Sequence, residues 1–203
     1  MGVSQELSSY VGRLFRRILR RGKPDPYALA QECWESSFRW FSEKRLPRES
    51  TSRYGTSERR GEFAFELRRT NLFAWVTSRV FRYTDLTLEG RFVWDTPGVY
   101  SAAGFILRHN TDDNFYHLLV SSRGYFRFDL VFNGNPMPLI GWTEIPSFSE
   151  VAPEQGMVVR AIVRGGSFSF YLDDEWIGEV EDETIPEGRV GAVSYTHLTL
   201  PTN

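Results

Sequence analysis

From Glu62 onwards apolar and polar residues alternate with a period of two, and this pattern constrains the fold more than any other feature of the chain. A segment patterned this way buries one face and exposes the other, as a strand of a two-layered sheet does. Phe63, Phe65 and Leu67 alternate with Glu62, Ala64, Glu66 and Arg68, and Leu86, Leu88 and Phe92 with Thr87, Glu89 and Arg91. Phe126, Phe128, Leu130 and Phe132 alternate with Arg127, Asp129 and Val131, and Phe168, Phe170 and Leu172 with Ser167, Ser169 and Tyr171. Between them stand turn residues, among them Asn133-Gly134-Asn135-Pro136, Gly165-Gly166 and Asp173-Asp174. Many short strands with turn chemistry between them specify an all-β sandwich rather than βαβ units.

The first third of the chain reads differently. Leu7, Tyr10, Val11, Leu14, Phe15, Ile18 and Leu19 keep helical spacing over 4–21, with Arg13, Arg16, Arg17, Arg20 and Arg21 largely off that stripe. Asp25-Pro26 opens a second predicted helix, which stops before Pro47. Residues 1–47 are thus expected to form a helical segment, 48–61 a polar linker and 62–192 the sandwich. Residues 1–60 are net basic and the rest net acidic, within an overall charge of −2. The basic helix 4–21 has three readings: a membrane-surface helix, a phosphate-binding helix, and a helix packed on its own apolar stripe. The third is favoured, so neither a membrane nor nucleic acid is the expected partner. Cys33 is the single cysteine, which excludes an intramolecular disulfide and, with no apolar opening segment and no run of about 20 apolar residues, makes the cytoplasm the default expectation.

Residues from about 83 to 192 resemble the concanavalin-like, laminin-G-like jelly-roll family, which includes keto-disaccharide hydrolase-like domains. The resemblance is carried by 83–92 (YTDLTLEGRF), 103–109 (AGFILRH), 113–121 (DNFYHLLVS), 124–128 (GYFRF), 157–163 (MVVRAIV), 168–174 (FSFYLDD) and 188–191 (GRVG). In the family such segments are consecutive strands, and Arg108 and Asn114-Phe115-Tyr116 take the places of its arginine-ended strand and its N-x-Y opening. Asp173-Asp174 stands where the family often has Asn-Gly. Residues 193–203 resemble translated sequencing adapter, an artefactual tail, and the jelly roll is expected to need a final strand beyond Gly191.

No catalytic constellation is recognisable. A nucleophilic triad requires a base beside a Ser or Cys, and His109 and His117 flank one hairpin with no G-x-S-x-G elbow in the chain. Glycoside hydrolysis requires two carboxylates across a cleft. The dense acidic stretch Glu179, Glu181, Asp182, Glu183 fits a solvated edge better. Asp112 and Asp113, with Asn114, are the weak candidates for a structural calcium site, although turn chemistry explains them equally well. No other cofactor is expected.

The best candidate site is a polar sheet face. Arg108, Arg127 and Asp129 have non-core parity or end a strand, and Tyr116, Tyr125 and Trp142 are aromatic residues that could stand beside them. Sugars stack on such rings while charged groups bond their hydroxyls. A solvent-facing charge ladder fits the same charged residues. The expectation is a non-catalytic module binding a glycan or a protein partner. Its rivals are a hydrolase domain of the keto-disaccharide type and a structural sandwich from a larger protein.

Overall fold

The computed structural model describes residues 46–59, 61–79, 82–94, 100–146, 148 and 156–197. Both predicted N-terminal helices lie outside these residues. The described chain consists of antiparallel strands: β1 (Tyr54–Arg59), β2 (Glu62–Leu67), β3 (Leu72–Thr77), β4 (Leu86–Phe92), β5 (Tyr100–Thr111), β6 (Asn114–Ser121), β7 (Tyr125–Phe132), β8 (Asn135–Glu144), β9 (Met157–Arg164), β10 (Ser167–Leu172), β11 (Glu175–Glu181) and β12 (Arg189–His197). They form a six-stranded sheet in the order β3-β12-β5-β6-β7-β8, a four-stranded sheet β11-β10-β9-β4 and the hairpin β1-β2.

The main core lies between the two larger sheets. Leu107, Tyr116, Leu118, Phe126, Phe128 and Leu130 of the six-stranded sheet meet Val159, Ala161, Val163, Phe168 and Phe170 of the four-stranded one. Phe128 packs its ring against Tyr116, Phe168 and Phe170 at centroid separations of 5.7, 5.1 and 4.7 Å. The alternation read from 126–132 and 168–172 supplies this layer, each side chain of one parity entering the core. Two hairpins close on turns that need left-handed backbone. Asn133 and Gly134 have φ of 51° and 74°, and Asp173 and Asp174 have 46° and 73°. This is the paired positive φ of a tight hairpin turn, for which Asn-Gly is the least strained choice and Asp-Asp an acceptable one.

Two stretches fold otherwise than their composition suggests. Within the polar segment 48–61, Tyr54–Arg59 forms β1 and pairs residue for residue with β2. A Thr51 hydroxyl that accepts from the Arg53 and Tyr54 amides turns the chain into it. Residues 193–197 continue β12, the missing final strand, bonded to β3 on one side and β5 on the other. Val193 is buried while Ser194 and Thr196 take the opposite parity, so the segment has the alternation of a central strand.

Candidate functional site: a pocket on the outer face of the large sheet

A second apolar cluster sits on the other face of the six-stranded sheet. It contains Ala102, Ile106, Phe115, Leu119, Val131 and Val193, with Phe73, Trp75, Trp142 and Tyr195 packed partly buried against it. Along β6 both faces are therefore packed: Phe115, His117 and Leu119 point one way, Tyr116, Leu118 and Val120 the other. The outer cluster surrounds an open cavity of about 520 Å³, within the range of small-ligand sites. Phe73, Trp75, Phe115, Trp142 and Tyr195 supply aromatic walls, and Asp112, Asp113, Gly134 and Pro136 come from the adjoining ends of the β5–β6 and β7–β8 hairpins.

His117, Arg127 and Asp129 form a polar cluster lining this cavity. Asp129 faces His117 across β6 and β7 and shares its face with Arg127 two residues away. The Asp129 side chain is only 3% exposed, against 27% for Arg127. Arg127 Nε lies 2.8 Å from both carboxylate oxygens, and His117 Nε2 lies 3.2 Å from Oδ2. Burial raises the Asp129 pKa, but the hydrogen bonds from His117 and Arg127 outweigh it and hold the group below the usual carboxylate range. Because the carboxylate only accepts, neutral His117 carries its proton on Nε2 and its Nδ1 is an acceptor; that atom is buried without a protein partner. The Arg127 η nitrogens are likewise outside the contact with Asp129. The His117 ring sits 4.9 Å from Phe73 and 6.2 Å from Phe115.

Of the residues singled out from the sequence, Arg127, Asp129 and Trp142 come together here. Tyr125 has the parity of Arg127 but does not line the cavity. Asp112 and Asp113 stand at the rim, where Asp112 lies 3.2 Å from His109 Nε2. Among the described residues no group of three or more His, Cys, Asp or Glu is arranged to hold a metal ion.

Arg108 and Tyr116 are corrected. Alternation along β5 places Arg108 on the outer face with Ile106, but the strand bulges there and Arg108 has a φ of 48°. The side chain turns inward and is 1% exposed, its guanidinium 5.0 Å from the Phe168 ring centroid. Its η nitrogens donate to the carbonyls of Ile185 and Thr84, each at 2.9 Å, and of Gly165. Burial pushes its pKa down, and nearby Tyr116, Asp85 and Asp182 oppose that. Tyr116 has inner parity and is fully buried; its hydroxyl donates to Asp182 and accepts from the Ile185 amide at 3.1 Å. Burial and the bond to Asp182 push its pKa up. Both residues tie loops to the core. The acidic residues Glu179 and Glu181 are exposed on β11, in the other sheet.

Alternation and composition do not single out Phe73, Trp75, Phe115, His117 or Tyr195 as cavity residues. Phe73 and Trp75 lie on β3, whose run Leu72-Phe-Ala-Trp-Val76 is apolar at both parities. His117 is embedded in the equally two-sided β6, and Tyr195 in a stretch set aside as a tail. The available signal was aromatic spacing: Phe73 and Trp75, two residues apart, must share a face.

No family model matches the chain. A protein of Treponema pallidum (strain Nichols) described as a TPR repeat-containing protein is 28% identical over 220 residues, spanning 83% of this chain and 26% of that protein. The chain thus spans about a quarter of the length of this curated relative. Among solved structures, a Bacteroides ovatus family 16 glycoside hydrolase endo-glucanase superposes with a TM-score of 0.56 at 8% identity, over 81% of this chain and 86% of its own. The carbohydrate-binding module CBM66 of Bacillus subtilis gives 0.52 at 20% identity, over 64% and 81%. The fold is accordingly the jelly-roll sandwich that these carbohydrate-active proteins share.

Proposed function

We propose that the chain is a non-catalytic carbohydrate-binding module whose site is the outer-face cavity. The observation that carries this reading is the polar cluster Arg127–Asp129–His117 beside aromatic walls that include Trp75 and Trp142. Aromatic faces take the apolar side of a pyranose or furanose ring, and oriented charged groups bond its hydroxyls. The shared fold with a carbohydrate-binding module supports the same reading as analogy. Asp129, the buried carboxylate of the cavity, is held ionised by two cationic or donor neighbours. It therefore lacks the proton that a glycosidase's general acid delivers, which favours binding over hydrolysis. In a protein as long as the Treponema relative, the sandwich would act as one recognition unit among others.

A glycan array probed with the whole chain tests the proposal. Saturable binding without turnover, lost in a folded Arg127→Ala, Trp142→Ala double variant, is the expected result. Release of reducing ends from a bound glycan would favour the hydrolase reading. Folded protein that binds no glycan would favour a protein partner or a spacer.

A further inference from the structure

We infer that the cavity selects an uncharged sugar, bound through neighbouring hydroxyls, and discriminates against uronates and other anionic sugars. This rests on the carbohydrate-binding reading and extends it to ligand class.

An arginine kept for an anionic ligand must present an uncompensated charge. Arg127 does not, because both oxygens of Asp129 lie 2.8 Å from its Nε. The pair is neutral, and His117 adds no charge in its neutral form. The other lining groups that carry charge near neutral pH are Asp112 and Asp113, both exposed and both negative. A carboxylate entering here meets a compensated arginine and an acidic rim. It gains little Coulomb attraction and loses its hydration.

The hydrogen-bonding inventory fits a polyol. Asp129 Oδ2 already accepts from Arg127 and from His117, whereas Oδ1 accepts only from Arg127 and keeps one lone pair. That position requires a donor, which a hydroxyl has and an ionised carboxylate lacks. The Arg127 η nitrogens supply donors spaced for two neighbouring oxygens. A pair of adjacent hydroxyls meets both demands, accepting from Arg127 and donating to Asp129. The carboxylate of a uronate can meet only the first, so a uronate must bind through its ring hydroxyls with its charge left near the acidic rim.

The test uses oligosaccharides matched in linkage, anomeric configuration and length that differ only in oxidation at C6, α-1,4-linked galactose oligomers against oligogalacturonates and glucose against glucuronate oligomers, with affinities measured on the whole chain. The expected result is binding of a neutral member with its acidic counterpart weaker by on the order of tenfold or more. Asp129→Asn uncovers the Arg127 charge, and the preference should shrink or invert. Because Asp129 is buried, its variant is accompanied by Asp112→Asn, Asp113→Asn at the exposed rim. That double variant should narrow the preference by roughly twofold, more at low salt. Acidic members bound as tightly as neutral ones by the wild type would overturn the selectivity while leaving the sugar pocket standing. A preference for neutral sugars that neither variant alters would overturn the charge-compensation mechanism. Failure to bind any member or any other glycan would overturn the pocket itself.

Discussion

The two faces of the six-stranded sheet are alike in composition and opposite in what their polar groups do. On the inner face, Arg108 and Tyr116 are buried; the Arg108 η nitrogens are spent on Ile185, Thr84 and Gly165 and the Tyr116 hydroxyl on Asp182, although Arg108 Nε has no partner. On the outer face, Arg127 and His117 meet only at Asp129, and the Arg127 η nitrogens and His117 Nδ1 stay uncommitted. A buried arginine that holds three carbonyls stabilises the fold. An arginine whose fork is half used is available to something else. The two arginines differ in how far their η nitrogens are committed, and that difference rather than aromatic or charged composition singles out Arg127 as the candidate ligand contact.

Five variants put this contrast to the test. The largest effect belongs to the inner arginine. Arg108→Met leaves three carbonyls without their donor, and urea unfolding should show a loss of about 3 kcal/mol. Glycan affinity per folded molecule should stay unchanged. A stable Arg108→Met protein with no affinity would place the two arginines in each other's roles. Next comes Trp142→Ala, which should lower glycan affinity by about tenfold or more while costing clearly less stability than Arg108→Met. Tyr116→Phe removes one hydroxyl from the core. It should cost about 1–2 kcal/mol by chemical denaturation, because Asp182 and the Ile185 amide lose a partner, and should leave binding alone.

The smallest effects are in pH dependence. Burial lowers the His109 pKa, and the contact with Asp112 only partly offsets it. The unfolded chain then binds the proton more readily, so stability should fall as pH drops through about 6.5, and His109→Gln should flatten that slope. Asp129 acts in the same direction at lower pH. Its lowered pKa contributes stability that is fully present above about pH 4 and lost as pH falls through the folded value, and Asp129→Asn should remove that part of the acid limb. Equal slopes in variant and parent would show that these groups do not differ between folded and unfolded chains.

Much of the sandwich was legible from period-two alternation, and the part of the site that was legible came the same way. Arg127 and Asp129 share a parity that Phe126, Phe128 and Leu130 do not, so their face followed from spacing alone. Arg108 departs from the alternation for a local reason. Alternation assumes an unbroken pleat, and a bulge with a positive φ at that residue reversed the side chain. Phe73, Trp75 and His117 were hidden because β3 and β6 are apolar on both faces, so no parity identifies an inside. Tyr116 shows the converse: an aromatic residue with a polar tip suits a sugar site and a core equally, and only its bond to Asp182 decides.

The most direct test compares one residue from each face. Affinity for the strongest glycan of the array is measured by titration calorimetry for Trp142→Ala and Tyr116→Phe, with folding of both verified. The account predicts that Trp142→Ala loses about tenfold or more while Tyr116→Phe binds as the parent does. Undiminished binding by Trp142→Ala would contradict the assignment of the outer face as the site.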